Sequence, residues 1–140
     1  MTRNTPDQSH KNGTLHNHKI LVVEDDYISF YLIKEIFRDK APVLVHKTDG
    51  QEAIKYLQEE HHNISLIIMD LILPVMDGIN ATRTIRSKNW NLPIIAISAA
   101  VNEDNEEKCY DAGCDIFLPK PLDFDEFKSA VYSRLSVSSH

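Results

Sequence analysis

Five short apolar runs punctuate the chain, at 19–24 (KILVVE), 42–47 (PVLVHK), 65–70 (SLIIMD), 93–98 (PIIAIS) and 115–120 (DIFLPK). Four of the five lack polar alternation, which is the signature of strands covered on both faces and hence of a parallel sheet. The segments between them carry a helical period. In the first, Leu32, Ile33, Ile36 and Phe37 form an apolar stripe expected to face inward. The second, DGQEAIKYLQEE, opens on Asp49 with Glu52 three residues later, a cap-like pair. The third runs from about Gly78 to Ser87. The fourth, NEDNEEKCYDAG, has Asn102 as a cap, acids in its first turn and Gly113 as a stop. The fifth, DFDEFKSAVYSRL, pairs Asp123 with Glu126. Five strand–helix units predict an α/β doubly wound, five-stranded parallel sheet with five helices, in the flavodoxin-like order 2-1-3-4-5. The folded unit is expected over 19–135. Residues 1–18 and 136–140 are polar, without apolar period, and read as disordered tails.

Composition narrows the class. With 42% hydrophobic and 26% charged residues, the 140-residue chain can build one core and stay soluble. A net charge of −6 argues against a general nucleic-acid or anionic-membrane surface. No apolar run approaches the roughly 20 residues of a membrane span, and the polar opening residues do not read as a secretory leader. A cytoplasmic protein is expected. Cys109 and Cys114 are then expected to be two free thiols in a reducing compartment. Of the seven histidines, His10, His16 and His18 fall in the tail and His61 and His62 at a helix end, so no zinc-type spacing arises.

The polar residues at the strand ends carry the chemistry. The first run ends in Glu24, Asp25 and Asp26, the third in Asp70, the fourth in Ser98 and the fifth in Lys120. In open α/β sheets, ligands bind beyond the carboxyl ends of the strands at the switch in strand order, where the first and third strands lie. Clustered carboxylates repel unless a cation joins them, and an all-oxygen set suits a hard divalent ion, Mg²⁺ first, with Mn²⁺ or Ca²⁺ as substitutes. An ammonium and a hydroxyl facing that centre make a phosphoryl site. Asp70 is then the nucleophile and the product an aspartyl-phosphate. Asp26 reads better as the cap of the first helix than as a ligand.

In order and at matching separations, ILVVEDD, IIMDLILPVMDG, IIAISAA and FLPKP resemble the receiver domain of two-component response regulators and hybrid histidine kinases. The resemblance implies Asp70 as phosphoacceptor from a phosphohistidine on a histidine kinase or histidine phosphotransfer protein. It implies Glu24 and Asp25 as the acidic pair that organises Mg²⁺ and the Ile72 carbonyl as a main-chain ligand. Ser98, Ala99 and Lys120 would hold the phosphoryl group, with Pro121 where a cis peptide is common and Asp77-Gly78 at the turn into the third helix. Ser98 and Phe117 would form the switch. Such a domain is a signalling phosphoacceptor rather than an enzyme of metabolism. Ile72 and Ala100, at positions that tune hydrolysis, are apolar and imply a long-lived phosphoryl-aspartate. Receivers of this kind dock a helical, histidine-bearing bundle with the start of the first helix, here Tyr27, Ile28 and Tyr31, beside Pro121. The surface from about 102 to 117 is where the family often dimerises.

Three rivals meet specific obstacles. A haloacid-dehalogenase-like phosphatase needs a second aspartate two residues after the nucleophile, where Ile72 stands. A flavodoxin-like FMN carrier needs a Ser/Thr/Gly-rich loop after the first strand, where three acids stand. A phosphorylation-independent pseudo-receiver interaction module remains the alternative, although each matched site residue is retained. A stand-alone regulator and a piece of a hybrid kinase both fit the chain.

Overall fold

The computed structural model describes residues 14–135. Strands β1 (Lys19–Val23), β2 (Val43–Lys47), β3 (Leu66–Asp70), β4 (Ile94–Ser98) and β5 (Ile116–Pro119) alternate with helices. These are α1 (Tyr27–Ile36), α2 (Gly50–Glu60), α3 (Gly78–Ser87), α4 (Glu103–Ala112) and α5 (Phe124–Leu135). A 3₁₀ turn at His61–Asn63 follows α2. All strand pairs are parallel, in the order β2-β1-β3-β4-β5. The predicted flavodoxin-like topology is therefore the observed one.

Side chains alternate across a strand, so each central strand feeds two cores. Leu21, Val23, Ile67, Met69, Ile94 and Ala96 pack on one face with Leu57 of α2 and Ala81 and Ile85 of α3. Ile20, Val22, Ile68, Ile95 and Ile97 pack on the other, with Ile33 of α1 and Phe127 and Val131 of α5. Both faces of β3 and β4 are buried along their whole length. That double coverage is why their sequences read as unbroken apolar runs.

The helix starts follow the predicted capping residues. Asp49 accepts from the Glu52 N–H at 2.8 Å, Asn102 from Asn105 at 2.8 Å, and Asp123 from Glu126 at 3.0 Å. Gly113 ends α4 with φ of 115°, a left-handed conformation that glycine adopts without a Cβ clash.

Three expectations are corrected. Cys109 and Cys114 are not free thiols: they form a disulfide, with Cα atoms 5.8 Å apart. The left-handed turn at Gly113 folds the chain back, so that the Cys114 N–H donates to the Cys109 carbonyl at 3.2 Å. A count of cysteines does not see that local geometry. In α1 the inward stripe is Phe30, Ile33 and Ile36, continued by Phe37 beyond the helix; Leu32 is 37% exposed. The tail expected over 1–18 is packed near its end: Leu15 is buried in the α1–α5 core and its N–H donates to the Lys40 carbonyl. His18 adds a side-chain bond to Ser65 at 2.9 Å. A single leucine in a polar stretch gives no periodic signal, which is why this contact was not foreseen. The tail expectations for 1–13 and 136–140, and His10 with them, lie outside the described residues.

Candidate functional site

The sheet delivers Glu24, Asp70, Ser98 and Lys120 to one rim. β1 runs out after Val23, which pairs with Met69 of β3 on one side and Lys47 of β2 on the other. Glu24 is the next residue and is fully buried. Asp70 ends β3 at 4% exposure, one step beyond Met69. Ile97 is its register partner in β4, and Ser98, also buried, follows. Lys120 follows β5, and its N–H donates to the Ser98 carbonyl at 2.9 Å. The Lys120-Pro121 peptide is cis.

Lys120 joins the carboxylates. Its Nζ lies 2.7 Å from Glu24 Oε1 and 2.8 Å from Asp70 Oδ2, with Ser29 Oγ at 3.4 Å. The other Asp70 oxygen, Oδ1, accepts the Ile72 N–H at 2.9 Å. Ligand atoms of Glu24, Asp25 and Asp70 all lie within 4.8 Å of one another. Asp25 is exposed, so the cluster opens to solvent on that side. The Asp26 carboxylate stays out of the cluster: its Oδ1 accepts the Ile28 N–H at 3.0 Å and its Oδ2 the Ser29 hydroxyl at 3.2 Å, the cap of α1, while its N–H donates to Glu24 Oε2 at 3.2 Å.

Charge is out of balance here. Three carboxylates face one ammonium. Burial raises the Glu24 carboxyl, and Asp70 beside it raises it further. Lys120 and the Asp26 N–H pull the other way, and the result is about 7. Burial alone would lower the Lys120 ammonium, but the bonds from Asp70 and Glu24 outweigh it and raise its pKa. A buried glutamate driven toward neutrality beside two other acids marks a surplus of negative charge that a divalent cation would relieve. All the donors are oxygen, so the set fits Mg²⁺ or a similar hard ion.

Ser98 sits beside this centre with its Oγ accepting the Ala100 N–H at 3.0 Å, which orients the hydroxyl and leaves its hydrogen to donate. A cavity of about 250 Å³ lies next to it, lined by Leu71, Ile72, Asp77, Ser98 and Asn105. Asn105 was missed in the sequence; its Nδ2 donates to the Ala100 carbonyl at 3.0 Å and ties α4 to the segment after β4. Ser29 was missed as well. It lies three residues after the Asp26 cap, a spacing that turns it toward the same end of α1. Phe117 is buried in the α2–α4 core, and its N–H donates to the Tyr110 hydroxyl at 3.1 Å.

Tyr27, Ile28 and Tyr31 are exposed by 58%, 79% and 58%. Ala99 and Pro121 are exposed too, and with Leu32 and Leu122 they line an apolar groove of about 290 Å³ that reaches Lys120.

The turn after β3 depends on Gly78. Its N–H donates to the Leu71 carbonyl at 3.0 Å, and Asp77 caps α3 through the Asn80 N–H at 2.8 Å. A Cβ at Gly78 would collide with the Asp70 carbonyl oxygen and lie 2.7 Å from Leu71 Cα. These are backbone atoms and cannot swing aside. Gly78→Val is therefore expected to cost about 2 kcal/mol, within the range for overpacking, read as a lower urea midpoint at unchanged slope.

The structure is an open parallel α/β sheet with an acidic rim at its switch point, reached by the lysine that follows β5. A family model for the response regulator receiver domain matches residues 20–132, and the chain belongs to that family. Hybrid signal transduction histidine kinase M of Dictyostelium discoideum is 33% identical over 110 residues, 75% of this chain and 5% of that protein. Osmosensing histidine protein kinase SLN1 of Saccharomyces cerevisiae is 33% identical over 116 residues, 79% of this chain and 10% of its own length. The chain thus spans a small part of these curated relatives. Among solved structures, the receiver domain of sensor histidine kinase PA1611 from Pseudomonas aeruginosa is 30% identical with a TM-score of 0.77, covering 86% of this chain and 98% of that one. That structure holds a magnesium ion coordinated in its active site cleft. Among the described residues here, no helix is long and apolar enough to cross a membrane.

Proposed function

We propose that the chain accepts a phosphoryl group on Asp70 from a phosphohistidine of a partner kinase or phosphotransfer protein, in a Mg²⁺-dependent reaction. The observation that carries this reading is the single ammonium of Lys120 held between Glu24 and Asp70, with Asp25 completing a three-carboxylate cluster. Asp70 attacks phosphorus through a carboxylate oxygen. The new O–P bond forms as the P–N bond to the donor imidazole breaks, and the electron pair leaves with that nitrogen.

The chain's own residues have distinct parts in this scheme. The Ile72 N–H fixes the rotation of the Asp70 carboxylate. Lys120 exchanges a carboxylate partner for a phosphoryl oxygen, and Ser98 donates its hydroxyl hydrogen to another, with the Ala99 backbone alongside. Glu24, Asp25, Asp70 and the Ile72 carbonyl are the groups that would hold the cation. Bound Mg²⁺ supplies neutralisation of the charge on the transferring group. Ser98, drawn toward the phosphoryl group, would release space into which the Phe117 ring follows, which is the conformational readout. Phosphoryl lifetime is set by access of water, and Ile72 and Ala100 offer no side chain to orient it.

The test is incubation with acetyl phosphate followed by intact mass measurement. A phosphoryl adduct is expected in Mg²⁺ and not in a chelator. An adduct that forms equally in both would exclude the metal-dependent site, and none in either would favour the pseudo-receiver reading.

The exposed Tyr27–Ile28–Tyr31 face and the groove by Pro121 fit docking of the donor, since apolar anchors beside a site carry interface energy. Ile28→Asp is expected to slow transfer from the cognate donor at least about tenfold, the cost of one lost anchor, and to leave acetyl phosphate uptake unchanged. Equal loss in both assays would remove the docking role.

A further inference from the structure

His46 occupies the penultimate position of β2, beside the point where β1 gives way to Glu24 and Asp25. Its Nε2 lies 2.7 Å from the Glu24 carbonyl oxygen. A carbonyl only accepts, so the imidazole carries hydrogen on Nε2 and donates. The next residue, Lys47, accepts the Glu24 N–H at 2.9 Å. Both backbone polar groups of Glu24 are thus held by the end of β2. The same imidazole stacks on Phe30 of α1, with centroids 3.9 Å apart and planes 4° from parallel. It meets the Tyr27 ring edge-on at 5.3 Å and 85°.

This placement matters because the regular strand pairing ends here. The β1–β2 and β1–β3 ladders both end at Val23. Beyond it come the two acids that must turn toward Asp70, and then Asp26, which is spent on capping α1. His46 ties the carbonyl of the first acid to the first turns of the helix that follows. We propose that His46 is a positioning residue: it fixes the direction in which Glu24 and Asp25 present their carboxylates and the angle at which Tyr27 leaves the surface. Its metal arm rests on the reading of the site as a Mg²⁺-dependent phosphoacceptor. Groups that orient ligands from behind are commonly worth 10–100-fold in metal affinity.

Two variants separate the ring from the donor in the full chain. His46→Phe keeps a ring to stack on Phe30 and loses the donor. His46→Gln loses the ring and keeps an N–H that can reach the Glu24 carbonyl. Two quantities are read, with the melting midpoint as a control for general damage. One is amide hydrogen exchange across residues 25–29 in chelator; the other is Mg²⁺ affinity by calorimetry. His46→Phe is expected to speed exchange in that segment up to about tenfold, the worth of one hydrogen bond. It is expected to weaken Mg²⁺ binding by about tenfold or more. His46→Gln is expected to restore both toward wild type. Should the phenyl ring fail to pack, His46→Leu against His46→Gln repeats the donor comparison. Exchange and affinity unchanged in His46→Phe, or His46→Gln as impaired as His46→Phe, overturns the proposal. If the wild-type chain itself binds no Mg²⁺, the metal reading fails, while the exchange comparison still decides whether His46 holds this segment.

Discussion

Asp70→Asn is expected to take phosphoryl uptake from acetyl phosphate below detection, a fall of at least about 10³-fold, the scale seen when a nucleophile is removed. The amide can still accept the Ile72 N–H through its oxygen, so the turn after β3 keeps its geometry. What is lost is the carboxylate oxygen that now pairs with Lys120 at 2.8 Å, and with it the proposed nucleophile. The fold should survive, since Asp70 leaves a crowded acidic cluster and relieves part of its repulsion with Glu24. Intact mass spectrometry in Mg²⁺ reads the adduct and circular dichroism the fold. An adduct that forms at the wild-type rate in Asp70→Asn would place the acceptor elsewhere.

Lys120→Ala attacks the same centre from the opposite charge. Glu24 is fully buried and Asp70 nearly so, and Lys120 is the cation bonded to both. Breaking a buried pair by removing one partner costs roughly 3–5 kcal/mol, because a buried charge is left uncompensated. Here the loss should sit near the low end, about 3 kcal/mol. Glu24 is already raised to about 7 and can shed its charge by taking up a proton. Urea unfolding in chelator should show a lower midpoint, and added Mg²⁺ should recover part of the loss by replacing the missing cation. A midpoint unchanged in chelator would mean that the ammonium does not neutralise the cluster. Phosphoryl uptake should fall as well, since the variant has no group to take the oxygen that Lys120 would hold.

Much of this centre was legible in the sequence, and the physics says which parts. β3 and β4 are covered on both faces, so their burial is written as continuous apolar runs, and a carboxylate or hydroxyl at the end of such a run stands out. Helix starts were legible because Asp49, Asn102 and Asp123 act on N–H groups three residues away. Right-handed crossovers leave few strand orders open, and the flavodoxin-like one leads among them for five strands. What the sequence left unread depends on residues far apart in the chain. His46 meets Glu24 only because β2 lies beside β1 in parallel register. Ser29 and Asn105 look like ordinary helix-surface residues until the strand ends bring them to the rim. Leu32 and Phe30 are two positions apart in an amphipathic segment, and only the packed sheet decides which turns inward. The resemblance placed Lys120 against a phosphoryl oxygen. In the structure its ammonium spans Glu24 and Asp70, a pairing that no spacing along the chain reveals.

The measurement that bears most directly on the site is a crystal structure of the chain with Mn²⁺ and beryllofluoride, read by the anomalous signal of the metal. One metal peak enclosed by Glu24, Asp25 and Asp70 is expected, with beryllofluoride on the Asp70 carboxylate and Lys120 Nζ and Ser98 Oγ turned to its fluorines. A metal peak away from these three acids, or beryllofluoride on any residue other than Asp70, would contradict it.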